Sequence, residues 1–164
     1  MSIFWKFMGG GLVVLSAILA SRAYSDHAKR RMLQYSGLVA LLQHAEGMIT
    51  SFLASGEGLF RDFKDEELEK IGLLPLLRKG ESLKKAFLSC EGEFLLGKDK
   101  IEEIKAFLST LGRGYRETEL EAISSFRRSL EGDMKAEAEA LDKSVKITRA
   151  LLIGGSLAFL IMII

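Results

Sequence analysis

The chain has 164 residues, 48% hydrophobic and 27% charged, with 23 basic and 22 acidic side chains and a formal net charge of +1. Its length sets one domain's worth of core, and its near-neutral charge excludes the basic excess of a nucleic-acid binder. Cys90 is the only cysteine, so an intramolecular disulfide is excluded, as expected in a reducing compartment.

The polar residues are not spread evenly. Lys6 is the single charged side chain in residues 1–21, and residues 150–164 carry none. Phe7 to Ser21 is free of charge, and with Ile3, Phe4 and Trp5 it approaches the roughly 20 residues that span a hydrocarbon core. The pattern predicts a transmembrane helix over 1–23, the rival reading being a cleavable signal peptide with small residues around Ala20–Ala23.

Next, Tyr35, Leu38, Leu42, Ala45, Ile49 and Phe52 repeat at steps of three and four, widened by Leu41 and Met48. This predicts an amphipathic helix that continues the first segment and stops near Ser55-Gly56. Leu59, Phe60 and Phe63 form a short apolar patch. A helix near Asp65–Ile71 should end at Gly72, with Pro75 opening a turn or a fresh short helix. Ser82 is the expected N-cap of a helix whose buried stripe is Leu83, Ala86, Phe87 and Cys90. Cys90 in such a stripe reads as a small buried hydrophobe rather than a nucleophile.

Asp99 with Glu102 predicts a capping box for a helix lined by Ile101, Ile104, Leu108 and Leu111 and closed by Gly112. After it, Ile123, Phe126, Leu130, Met134, Ala138, Leu141 and Val145 recur at about 3.67 residues per turn, close to an unstrained helix. Gly132 alone costs only about 1 kcal/mol, so this helix should run on into Ala150–Ile164, an apolar stretch that predicts a second transmembrane helix over 148–164. The expected fold is therefore all-α: a cytosolic antiparallel bundle of about six helices over 24–147, held between two terminal transmembrane helices.

Orientation follows from the cations. Arg22, Lys29, Arg30 and Arg31 follow the first apolar segment, and Lys135, Lys143, Lys146 and Arg149 precede the second; Lys6 alone lies on the other side. Cations mark the cytosolic side of a span, so the middle should be cytosolic and both ends should point out. Lys29, Arg30 and Arg31 could also touch anionic lipid. Ser16 with Ala20, and Ala150, Gly154 and Ala158, repeat every four residues, and small residues at that spacing let helices approach closely in lipid.

No catalytic, cofactor or metal site is expected. Gly9-Gly10-Gly11 lacks the Lys-Ser/Thr of a phosphate loop. His27 and His44 are far apart in sequence, expected on polar faces, and no cysteine pair joins them as zinc ligands. The acidic runs Asp65-Glu66-Glu67 and Glu102-Glu103 alternate with lysines, as solvated helix faces do. These features point to a non-enzymatic membrane scaffold, the alternative being a membrane-tethered signalling or regulatory adaptor. Oligomeric state stays open.

This order of features resembles the stage III sporulation protein AB family of endospore-forming bacteria. The likeness rests on Lys6 and Gly9 before the apolar run, then Arg30-Arg31, Leu33, Leu38 and Leu42. Further on it rests on Leu111-Gly112, the long Glu/Ala/Lys-rich helix, Lys143, Lys146, Leu152, Gly154-Gly155 and the final Ile161-Met162-Ile163-Ile164. After the Leu-Gly loop family members often carry an Asp and then a Gln, where this chain has Arg116-Glu117-Thr118-Glu119. The segment from Gly56 to Gly97 agrees in length and character. The resemblance implies a cytosolic domain similar to that of type II secretion and type IV pilus inner-membrane platform proteins. It also implies a place in the mother cell–forespore channel complex, in the mother-cell-derived membrane around the forespore. A cytosolic secretion-type ATPase and other channel components would be its partners.

Overall fold

A computed structural model describes the backbone of residues 3–51, 60, 62–112 and 115–163. Within these, the side chains of 3–14, 17, 20, 21, 149, 152, 153 and 156–163 lie outside the description. Every regular element is helical, and no strand occurs among the described residues. In chain order they are α1 (Ile3–Thr50), α2 (Glu66–Ile71), α3 (Leu73–Arg78), α4 (Leu83–Cys90), a 3₁₀ turn (Glu91–Glu93), α5 (Lys98–Thr110) and α6 (Arg116–Ile163). The chain divides into two compact units, one of Arg30–Lys135 and one of residues 1–29 with 136–164.

In the Arg30–Lys135 unit the expected stripes meet in one core. α1 contributes Tyr35, Leu38, Leu41 and Leu42, and α2 and α3 add Leu68, Ile71, Leu73, Leu74 and Leu77. Ala86, Phe87 and Cys90 come from α4, Ile104 and Leu108 from α5, and Ile123 and Leu130 from α6. Phe87 is 1% exposed and packs its ring 4.9 Å from that of Phe94. Burying such a side chain contributes about 1.5–3 kcal/mol. Phe107 of α5 stacks on Phe126 of α6 with ring centroids 4.0 Å apart. α1 and α6 run antiparallel here, because Glu46 meets Arg127 while Ile49 and Thr50, further along α1, meet the earlier Arg116.

Local chemistry explains where the short helices start and stop. Asp65 caps α2 by accepting from the Leu68 N–H at 2.9 Å, and Gly72 ends it in the left-handed region at φ 92°. There a side chain would be strained. α3 follows at once with Pro75 in its first turn, where a missing N–H costs nothing. Ser82 caps α4 by accepting from the Lys85 N–H at 3.4 Å, and Gly112 closes α5 at φ 82°.

Two expectations on local structure change. The capping box is absent: the N-cap of α5 is Gly97, without a side-chain bond, and Asp99 lies in the first turn. Its intended partner, Glu102, pairs with Lys105 at 2.6 Å instead. His44 is not on a polar face, since its ring packs 5.4 Å from Phe63 in a half-buried position. α1 is assigned as far as Thr50, and the expected stop near Ser55-Gly56 lies outside the described residues.

In the second unit, residues 3–29 belong to α1 and 136–163 to α6. Among the described residues no helix is long and apolar enough to cross a membrane. The transmembrane helices expected over 1–23 and 148–164 fall largely on side chains outside the description. Of the large apolar side chains described there, Leu15, Ile18, Leu19 and Leu151 are exposed, as are Tyr24 and Ile147 just outside those bounds.

Candidate functional site

The residues singled out in sequence fall into two sets. Of the small residues, Ser16, Ala150 and Gly154 are exposed, and a Cβ built on Gly154 would meet no described atom within 4 Å. The side chains of Ala20 and Ala158 lie outside the described residues. Of the cations, Arg22, Lys29, Arg30 and Lys143 are exposed, and Arg31 is half-buried. Lys146 pairs with Asp142 one turn earlier at 2.6 Å, and the Arg149 side chain lies outside the description.

Several polar side chains in the Arg30–Lys135 unit hold helices together. Arg127 on α6 donates to Glu46 of α1 at 3.0 Å and also pairs with Glu131 on its own helix. The Glu46 carboxylate beside it, with Glu131 in addition, holds the guanidinium pKa above its ordinary value. Arg116 donates to the carbonyl oxygens of Ile49 and Thr50 at 2.6 and 2.7 Å. These belong to the last turn of α1, where carbonyls lack helical partners. Lys100 of α5 bridges to Asp133 of α6 at 2.5 Å and to Glu103. Burial alone would lower the Lys100 pKa, but the two carboxylates outweigh it and raise the value.

Sequence periodicity missed Gln34. It sits on the packed face of α1, only 3% exposed, and its Oε1 accepts from the Leu95 N–H at 2.7 Å. The bond ties α1 to the connection before α5 across 61 positions. A glutamine at a core position of an amphipathic stripe was the available signal, since a buried amide needs a partner.

Reactive chemistry finds little purchase. Cys90 is 5% exposed, and its thiol donates to the Ala86 carbonyl at 3.1 Å. Burial pushes its pKa up to about 11, away from a nucleophilic thiolate. A hollow of about 20 Å³ lies among Leu38, Leu41, Phe87, Leu108, Phe126 and Leu130. It is apolar and has room for one water at most, so it is a packing defect rather than a ligand site. No group of three or more His, Cys, Asp and Glu side chains could hold a metal ion among the described residues.

The class of protein defined here is one that is all-helical among its described residues, with ion pairs and a buried amide tying its helices together. Residues 6–164 match the family model of stage III sporulation protein AB. The chain belongs to that family, and its role is in sporulation. The match includes the segment from Gly56 to Gly97, which in sequence agreed only in length and character. The family is a sporulation family and not a known enzyme family. No curated protein and no solved structure matches the chain.

Proposed function

We propose that the chain is a non-enzymatic membrane scaffold of the mother cell–forespore channel complex, with a helical unit that docks a cytosolic secretion-type ATPase. The observation that carries the reading is the placement of charge. Arg22, Lys29, Arg30 and Arg31 follow one apolar end, and Lys143, Lys146 and Arg149 precede the other, while the ends themselves hold only Lys6. Two spans with a cytosolic middle satisfy that asymmetry. Trp5 and Tyr24 bracket the first apolar stretch, and at 1.5 Å per residue their separation is about 28 Å, close to the thickness of a hydrocarbon core. Aromatic side chains favour its two boundaries.

In this reading residues 24–147 form the cytosolic domain, and the membrane is the mother-cell-derived one around the forespore. The work of such a protein is positional. Its core, the Arg127–Glu46 ion pair between α1 and α6 and the Lys100–Asp133 pair between α5 and α6 hold a fixed shape, and its chemistry is contact with lipid, the ATPase and other channel components. The buried, protonated Cys90 and the family's standing outside the known enzyme families support a non-catalytic role. The test is co-purification of the full chain, in detergent micelles, with the purified secretion-type ATPase of the same organism. Retention of the ATPase above the level seen with micelles alone is expected, and equal retention would contradict docking.

A further inference from the structure

We propose that the exposed face of α4 docks the Tyr115–Glu121 end of α6 on a second copy of this chain. Among the described large apolar side chains of the Arg30–Lys135 unit, Leu33, Leu88 and Tyr115 are exposed, Leu88 by 45% and Tyr115 by 86%. Leu88 is rimmed by Lys84 and Lys85, one turn earlier on the same helix and both exposed. Their ammonium groups have no acidic partner among the described residues. Glu81, the nearest acidic residue before them in the chain, precedes the N-cap Ser82. The result is an apolar knob with a basic rim on its N-terminal side, while Glu91, one turn further on, is paired with Lys105 at 3.2 Å.

Tyr115 presents the converse. It immediately precedes α6, whose first two turns carry Glu117 and Glu121 on one exposed face with Thr118 beside them. The adjacent cation, Arg116, has its guanidinium turned to the carbonyls of Ile49 and Thr50. An aromatic ring flanked by carboxylates fits a leucine flanked by ammonium groups. The ring and Leu88 can share apolar area, a lysine can lie over the ring face, and the remaining charges pair at the rim.

Both patches are open in the same molecule, so they do not satisfy one another within one chain. A contact between two different patches is heterologous. Each added copy leaves one basic and one acidic face free, which builds a ring or an open row rather than a closed dimer. This surface is independent of the ATPase reading and stands or falls without it.

The test uses the full chain in detergent micelles with Cys90→Ala, carrying Ser89→Cys and Thr118→Cys, two exposed positions beside the patches, and a short bismaleimide. The double-cysteine chain should give a ladder of dimers, trimers and larger products, and each single-cysteine chain should give none. Lys84→Glu with Lys85→Glu, or Glu117→Lys with Glu121→Lys, should each reduce the ladder about tenfold, as reversal of two rim pairs implies. An equimolar mixture of the two reversed proteins should restore it, because opposite faces meet again. Helical melting of each variant monitors the fold. Should a reversed protein melt early, Leu88→Ser and Tyr115→Ser take its place and must also remove the ladder. Absence of a ladder, a ladder from either single cysteine, or one indifferent to charge reversal would overturn the proposal.

Discussion

Gly37 lies in the buried face of α1, packed against the start of α2. A Cβ built there would stand 2.9 Å from Asp65 Oδ1, 3.0 Å from Leu68 Cγ and 3.1 Å from Asp65 Cγ. In an open helix, Gly→Ala stabilises by about 1 kcal/mol. Here the methyl group displaces the carboxylate that caps α2, at a cost of about 0.5–2 kcal/mol. It also presses on Leu68, which is 0% exposed, and overpacking of that kind costs about 1–3 kcal/mol. The net expectation for Gly37→Ala is a loss of about 1–3 kcal/mol, or a melting temperature lower by roughly 3–10 °C for a chain of this size. Gly132 is the control: it lies within α6, exposed, with nothing within 4 Å of its would-be Cβ. Gly132→Ala should raise the melting temperature by about 3 °C. The assay is thermal loss of helical circular dichroism for the full chain in micelles. Asp65→Ala adds a cross-check, since Gly37→Ala should cost less once the carboxylate is gone. A Gly37→Ala protein that gains stability as Gly132→Ala does would refute the close approach of α1 and α2.

Three further outcomes follow from the same geometry. Gln34→Leu removes the acceptor of the Leu95 N–H and should destabilise by about 1–3 kcal/mol in denaturant titration; an unchanged midpoint would count against that bond. The thiol of Cys90, ordinarily 9.0 and here raised to about 11, should be alkylated at least about 100-fold more slowly in the folded protein than after unfolding. Equal rates would show an open site. Lys100 gains its carboxylate partners on folding and its pKa rises above 10.5, so its contribution is present at neutral pH and lost as pH climbs through the raised value. The stability difference between the parent and Lys100→Met, at most about 1 kcal/mol for so accessible a pair, should be steady near neutrality and vanish in strong alkali. A difference that grows with alkali would reverse the assigned sign.

Much of the helical unit was legible because it is encoded locally. Gly72 and Gly112 punctuate helices at the φ values only glycine adopts easily. Ser82 caps where a serine precedes an apolar stripe, and the stripes of α1, α4, α5 and α6 share one core. What could not be read depends on partners distant in sequence. Gln34 is a polar residue in a stripe until Leu95 arrives 61 positions later. Gly37 looks like any weak point in a helix until α2 packs over it. The false capping box at Asp99 is instead a local failure, because Glu102 has a competing partner, Lys105, three residues on. The candidate functional residues divide similarly. The flanking cations are a pattern along the chain and are visible in sequence. A docking face is defined by a partner that is not part of the chain, so periodicity says nothing of it, and only exposure in the folded unit brings Leu88 and Tyr115 to notice.

The scaffold account depends most on which side of the membrane the helical unit occupies, and a paired reporter fusion measures that directly. A reporter active only outside the cytosol is fused after Ile164 in one strain and inserted near Glu57 in another. The cations flanking both apolar ends predict an active fusion after Ile164 and a silent one at Glu57. Activity at Glu57 with silence at Ile164 would place the helical unit outside the cytosol, out of reach of any cytosolic ATPase, and contradict the account.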